Sequence, residues 1–194
     1  VTSNGSTIVS GKTLTISNDT TLTTPAADVN GKTITTANGT INITALNSTA
    51  AADLSNITET GSGSVNVTTA ANVTFTGSFP NAAFTLLGAY IVTSNGSTIV
   101  SGKTLTISNN TTLTTPAADV NGKTIAGSGT VTITDLDETT SANLLNINSS
   151  TVNITVDQSL TFTGKLPQSA SSKTITTTIS NTKTLTLSGT LSGG

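Results

Sequence analysis

The chain has 194 residues, seven lysines against nine acids for a formal net charge of −2, and no Cys, His, Met, Trp or Arg. Thiol nucleophiles, disulfides, Cys/His zinc sites, haem ligation by His or Met and Ser–His–Asp triads are therefore excluded. With charged residues at only 8% and no basic stripe, a nucleic-acid footprint is excluded as well.

Taken in chain order, apolar and polar residues alternate with period two in short runs, the signature of half-buried strands. Thr13–Ser17 puts Leu14 and Ile16 on one face, and Thr40–Thr44 does so with Ile41 and Ile43. Ser64–Thr68 follows with Val65 and Val67, and Asn72–Thr76 with Val73 and Phe75. Turn chemistry separates the runs at Asn4-Gly5, Asn30-Gly31, Asn38-Gly39 and Gly61-Ser62-Gly63, and again at Asn95-Gly96 and Asn121-Gly122. No stretch reads convincingly as helix; Ala50–Ile57 is the only candidate, and Ser, Thr and Asn surround it. Thr, at 47 residues, equals Leu, Ile, Val and Phe combined, and β-branched Thr suits a pleated surface. No apolar run approaches the length of a membrane span, so no membrane insertion is expected. Val1–Asn4 has no signal-peptide pattern, and any export signal is expected to be removed or to lie outside this sequence.

The strongest feature is a repeat. Residues 1–34 and 92–125 are identical except for Asp19 against Asn110, a period of 91 residues. The copies then drift in step: Gly39–Thr44 matches Gly129–Thr134, Ala52–Ile57 matches Ala142–Ile147, and Val73–Pro80 matches Leu160–Pro167. Lys183–Ser188 resembles Lys12–Ser17, as if a third copy began. The units are 1–91, 92–170 and a partial third repeat or terminal strand, 171–194.

An all-β fold follows, and two architectures compete. The first is a β-solenoid (parallel β-helix); the alternative is a pair of tandem Ig-like β-sandwiches. Small aliphatic cores stack well in ladders, whereas sandwiches rely on large aromatics, and here Tyr90 is the only Tyr. Apolar clusters at Leu14/Ile16, Ile34, Leu54/Ile57 and Val73/Phe75 suit coils of about 18–20 residues, hence about five per unit. Leu14, Ile16, Ile34, Ile41, Ile43, Leu105, Ile107 and Ile125 should then point inward.

Segments such as GKTLTISNDTTL and GTINITAL resemble the Thr/Asn-rich repeats of bacterial cell-surface proteins. These include autotransporter passengers, filamentous-haemagglutinin-like adhesins, and extracellular fibre or surface-layer proteins. The resemblance covers nearly the whole chain and implies an extracellular, non-catalytic, structural or adhesive role, with no cofactor and no functional residue carried over. Expected partners are copies of the chain itself, joined head to tail by β-strand pairing, with a cell-surface glycan or host surface as a further candidate. An adhesin stalk and a solenoid carbohydrate-active enzyme are the competing roles.

Candidate sites are few. Asp135, Asp137 and Glu138 form the densest acidic group and could offer hard oxygens to Ca²⁺, yet the first copy has Ala45, Asn47 and Ser48 there. A solvated turn is the plainer reading. Glu59 and Glu138, the only glutamates, would have to meet across a glycosidic bond to act as a pair. Asn-x-Ser/Thr occurs at Asn4, Asn18, Asn38, Asn42, Asn47 and Asn56, and at Asn66, Asn72, Asn95, Asn109, Asn110, Asn148 and Asn153. These are glycosylation acceptors or simply the outward face of Asn/Thr strands. Lys12, Lys32, Lys103 and Lys123 each follow Gly and read as residues that lead into strands and keep edges soluble.

Overall fold

The computed structural model describes residues 1–2, 8, 10–97, 99–168 and 172–188. The chain winds into a succession of short parallel strands, a β-solenoid of about eight turns. The Asn4-Gly5 turn and residues 189–194 lie outside the described residues.

The first coil sets the pattern. β1 (Thr13–Ile16) forms face 1, β2 (Thr21–Pro25) forms face 2, and a helical turn, α1 (Ala26–Val29), begins the third side. The next coil repeats this with β3 (Thr33–Ala37), β4 (Thr40–Thr44) and a 3-10 turn at Leu46–Ser48. β5 (Ile57–Thr60), β6 (Ser64–Thr68) and β7 (Val73–Phe75) make the third. β8 (Phe84–Leu87) and β9 (Ile91–Ser94) lie on faces 2 and 3 of the fourth, and β10 (Thr104–Ile107) and β11 (Thr112–Pro116) on those of the fifth. After α2 (Ala117–Val120), β12 (Thr124–Thr134) bends round a corner to serve both faces. A second 3-10 turn at Leu136–Thr139 leads to β13 (Ile147–Val156), which bends likewise. β14 (Leu160–Phe162), β15 (Thr174–Ile179) and β16 (Leu185–Leu187) complete the stack.

Period-two alternation places one side chain in two inside, and parallel pairing stacks like positions into columns. On face 2 the column runs Leu22, Ile41, Val65, Phe84, Leu105, Ile125 and Ile147. On face 3 it runs Val73, Val92, Leu113, Val131, Val152 and Ile175. All are buried except Ile175, which packs against the core from the last described coil. Each such side chain contributes roughly 1.5–3 kcal/mol on leaving water. Ile16, Ile34, Ile41, Ile43, Leu105, Ile107 and Ile125 are buried as the alternation requires, and Leu14 is half-buried against them. Phe75, Phe79 and Phe84 come from three successive sides and fill the middle of the stack, with ring centroids 4.7 and 5.2 Å apart.

Two expectations are revised. Helical turns do occur, at the two Ala-Ala-Asp-Val segments, while Ala50–Ile57 is not helical. In each, a proline with φ near −60° precedes two alanines, the best helix formers, and an Asn-Gly turn ends the element after four residues. Four residues make barely one turn, too short to show a helical period. Most coils are also longer than 18–20 residues: partners sit 18 to 25 residues apart, because corners contain helical and 3-10 turns as well as strands. The 91-residue unit therefore spans four coils plus one face, not five coils.

That extra face rotates the repeat. Leu14 stacks on face 1 with Ile34, whereas its counterpart Leu105 stacks on face 2 with Phe84 and Ile125. Leu22 lies on face 2 and its counterpart Leu113 on face 3. The helical turn moves from the third side in the first copy to the first side in the second. The β8–β10 and β7–β9 pairings run straight across the junction of units 1–91 and 92–170.

Candidate functional site

The polar groups fall into corners, scattered charges and outward strand faces. At the corners, asparagine side chains reach one coil along the stack. Asn30 Oδ1 accepts the Asp53 backbone N–H at 2.8 Å, and Asn121 Oδ1 accepts that of Asn143 at 2.8 Å, its equivalent one repeat later. Asn38 Oδ1 accepts from the Ser62 N–H at 2.7 Å, Asn47 from Ala70 at 2.9 Å and Asn72 from Ile91 at 2.8 Å. These bonds satisfy backbone donors that a turn leaves without a strand partner. Sequence reading assigned Asn30, Asn38 and Asn121 to turns through the glycine that follows. It missed their second role, because the backbone N–H donor sits 22 to 24 residues away and only the coil length reveals the pairing.

The acidic candidates do not assemble. Asp135 occupies a left-handed corner (φ 51), as Ala45 does in the first copy (φ 54), and its carboxylate accepts the Thr134 hydroxyl at 2.7 Å. Among the described residues no group of three or more carboxylates gathers to hold a metal, so Asp135, Asp137 and Glu138 form a corner. Glu59 lies on β5, and its Oε1 accepts from the Lys103 ammonium at 3.0 Å. Glu138 sits on the second 3-10 turn, four coils further on and roughly 19 Å along the stack at one rung per ~4.8 Å. A glycosidase pair needs about 5–9.5 Å.

The recurring lysines serve different ends. Lys32 donates to Ser10 Oγ at 2.5 Å, Lys103 pairs with Glu59, Lys12 is exposed and Lys123 half-buried. Asp53 has its carboxyl held below the ordinary value of 3.8 by the Ser55 hydroxyl at 2.6 Å and the Ser55 N–H at 3.0 Å, against a small opposing effect of burial. The second copy has Asn143 there, bonded to the Leu145 N–H at 3.3 Å.

Of the Asn-x-Ser/Thr sites, Asn18, Asn38, Asn56, Asn72, Asn95, Asn109, Asn110 and Asn148 are exposed. Asn42, Asn47, Asn66 and Asn153 are half-buried, and Asn66 Nδ2 donates to Asn42 Oδ1 at 2.8 Å. Asn4 lies outside the described residues. Two shallow hollows open on the strand faces. One of about 260 Å³ is lined by Asn72, Val73, Thr74, Ile91 and Thr93; another of about 210 Å³ lies on face 2 around Asn66, Phe84, Thr85 and Thr106. Neither has a charged wall.

No family model, no curated protein and no solved structure matches this chain.

Proposed function

We propose that the chain is a non-catalytic structural segment of an extracellular fibre, surface layer or biofilm matrix, joining copies of itself end to end through β-strand pairing. The observation that carries this reading is the continuity of the parallel ladder: both repeats share one stack, with no break in register at their junction. Eight coils at ~4.8 Å each make a rod about 38 Å long, and added coils would lengthen it without altering its section. The scattered carboxylates and uncharged hollows are in keeping with a spacer. Among the described residues β15 and β16 each pair with one strand, β13 and β14, and a parallel strand from a neighbour would pair on the other side. Such a head-to-tail contact does not close on itself, so it yields filaments. Sedimentation and negative-stain microscopy of the chain at rising concentration test this. Rods of constant width and growing length are expected; a chain that stays monomeric at high concentration contradicts it.

A further inference from the structure

We propose that face 3 binds ice. Its outward side chains form two straight ranks: Ile91, Thr112, Thr130, Thr151 and Thr174 in one, and Thr74, Thr93, Thr114, Thr132, Asn153 and Thr176 in the other, threonine throughout except for the exposed Ile91 and for Asn153. Ranks repeat about every 4.8 Å from coil to coil and about every 6.6 Å from one outward residue to the next along a strand. These are close to the row spacings of oxygen atoms on surfaces of hexagonal ice. Stacking keeps such a sheet flat where an open sheet would twist. Threonine is stiff about χ1, so each rank offers hydroxyl and methyl groups in repeated positions with little entropy left to lose.

A second, independent observation concerns hydrogen bonding. The corner asparagines spend their acceptors inside the protein. Among the described residues, the hydroxyls of Thr93, Thr112, Thr114, Thr130, Thr132 and Thr151 make no side-chain bond within the chain. They are half-exposed and directed to whatever lies against the face.

Charge and composition select the occupant. The two ranks carry no Lys, Asp or Glu, which matches an uncharged lattice and leaves an ionic mineral without counter-charges. No aromatic ring stands in either rank to stack on the sugars of a crystalline polysaccharide. A small soluble ligand would meet one or two hydroxyls, each worth little, whereas a crystal engages every rank at once. Face 2 is less regular: its outward column runs Thr23, Asn42, Asn66, Thr85, Thr106 and Ala126.

The test grows a single ice crystal slowly from a dilute solution of the full chain and measures the protein in ice against that left in liquid. Thr132→Lys, at the centre of face 3, is compared with Thr106→Lys on face 2, after circular dichroism shows that both variants fold. The parent and Thr106→Lys should enter the ice, and Thr132→Lys should enter about tenfold less, because one long side chain lifts neighbouring ranks off the lattice. Exclusion of the parent from ice overturns the proposal. So does equal incorporation of the two variants, or binding to crystalline chitin or cellulose without binding to ice.

Discussion

Asp19 and Asn110 are the single difference between two 34-residue segments, and the structure places both in the left-handed region, at φ 59 and 64. Asp and Asn are the non-glycine residues that visit this region most readily, so the substitution preserves the turn. Glycines in the chain divide by a different demand. Gly122 (φ 68) has nothing within 4 Å of where a Cβ would sit, so conformation alone matters there. At Gly129 a Cβ would lie 2.4 Å from Ser108 O and 2.5 Å from Ile107 Cγ2, so the next coil could not close down. Gly122→Asn should therefore change stability by less than about 1 kcal/mol, whereas Gly129→Ala should cost about 1–3 kcal/mol. Urea unfolding of both variants checks this; a larger loss for Gly122→Asn would contradict it.

At the scale of elements, strands were legible and corners were not. Thr40–Thr44 and Ser64–Thr68 have the bounds that alternation gives, and Thr13–Ser17 and Asn72–Thr76 differ only at their ends, because a period of two needs only four or five residues to show. The Ala-Ala-Asp-Val turns are shorter than the period that would betray them. The corner bonds depend on coil length, which the alternation within one strand does not contain. Asp53 illustrates the consequence. Its folded pKa is depressed, so its contribution to stability is present above the ordinary value of 3.8 and is lost as pH falls through the folded value. Asp53→Asn, which copies Asn143 of the second repeat, should flatten this acid limb while leaving stability at neutral pH nearly unchanged. Melting temperatures across pH 2 to 7 would show it; an unaltered acid limb would mean that the Ser55 bonds do not matter.

For the whole molecule, the solenoid was foreseeable from small aliphatic columns and a near-absence of aromatics, while its phase was not. A unit of four coils and one face turns each sequence copy by about a third of a revolution and advances it about 21 Å. In a longer array, identical strands would spiral around the rod, so no face would carry the same segment in successive repeats. Within this chain that rotation brings Thr106 onto the column of Thr23 and puts Thr114, the sequence counterpart of Thr23, on the neighbouring face. The absence of cysteine makes site-specific labelling clean. A pulsed electron-resonance distance between spin labels at Thr23→Cys and Thr106→Cys tests this phase most directly. Four rungs on one face give a single narrow distribution near 19 Å between the two backbones; a broad distribution, or one centred beyond roughly 30 Å as for two separately folded units, would contradict it.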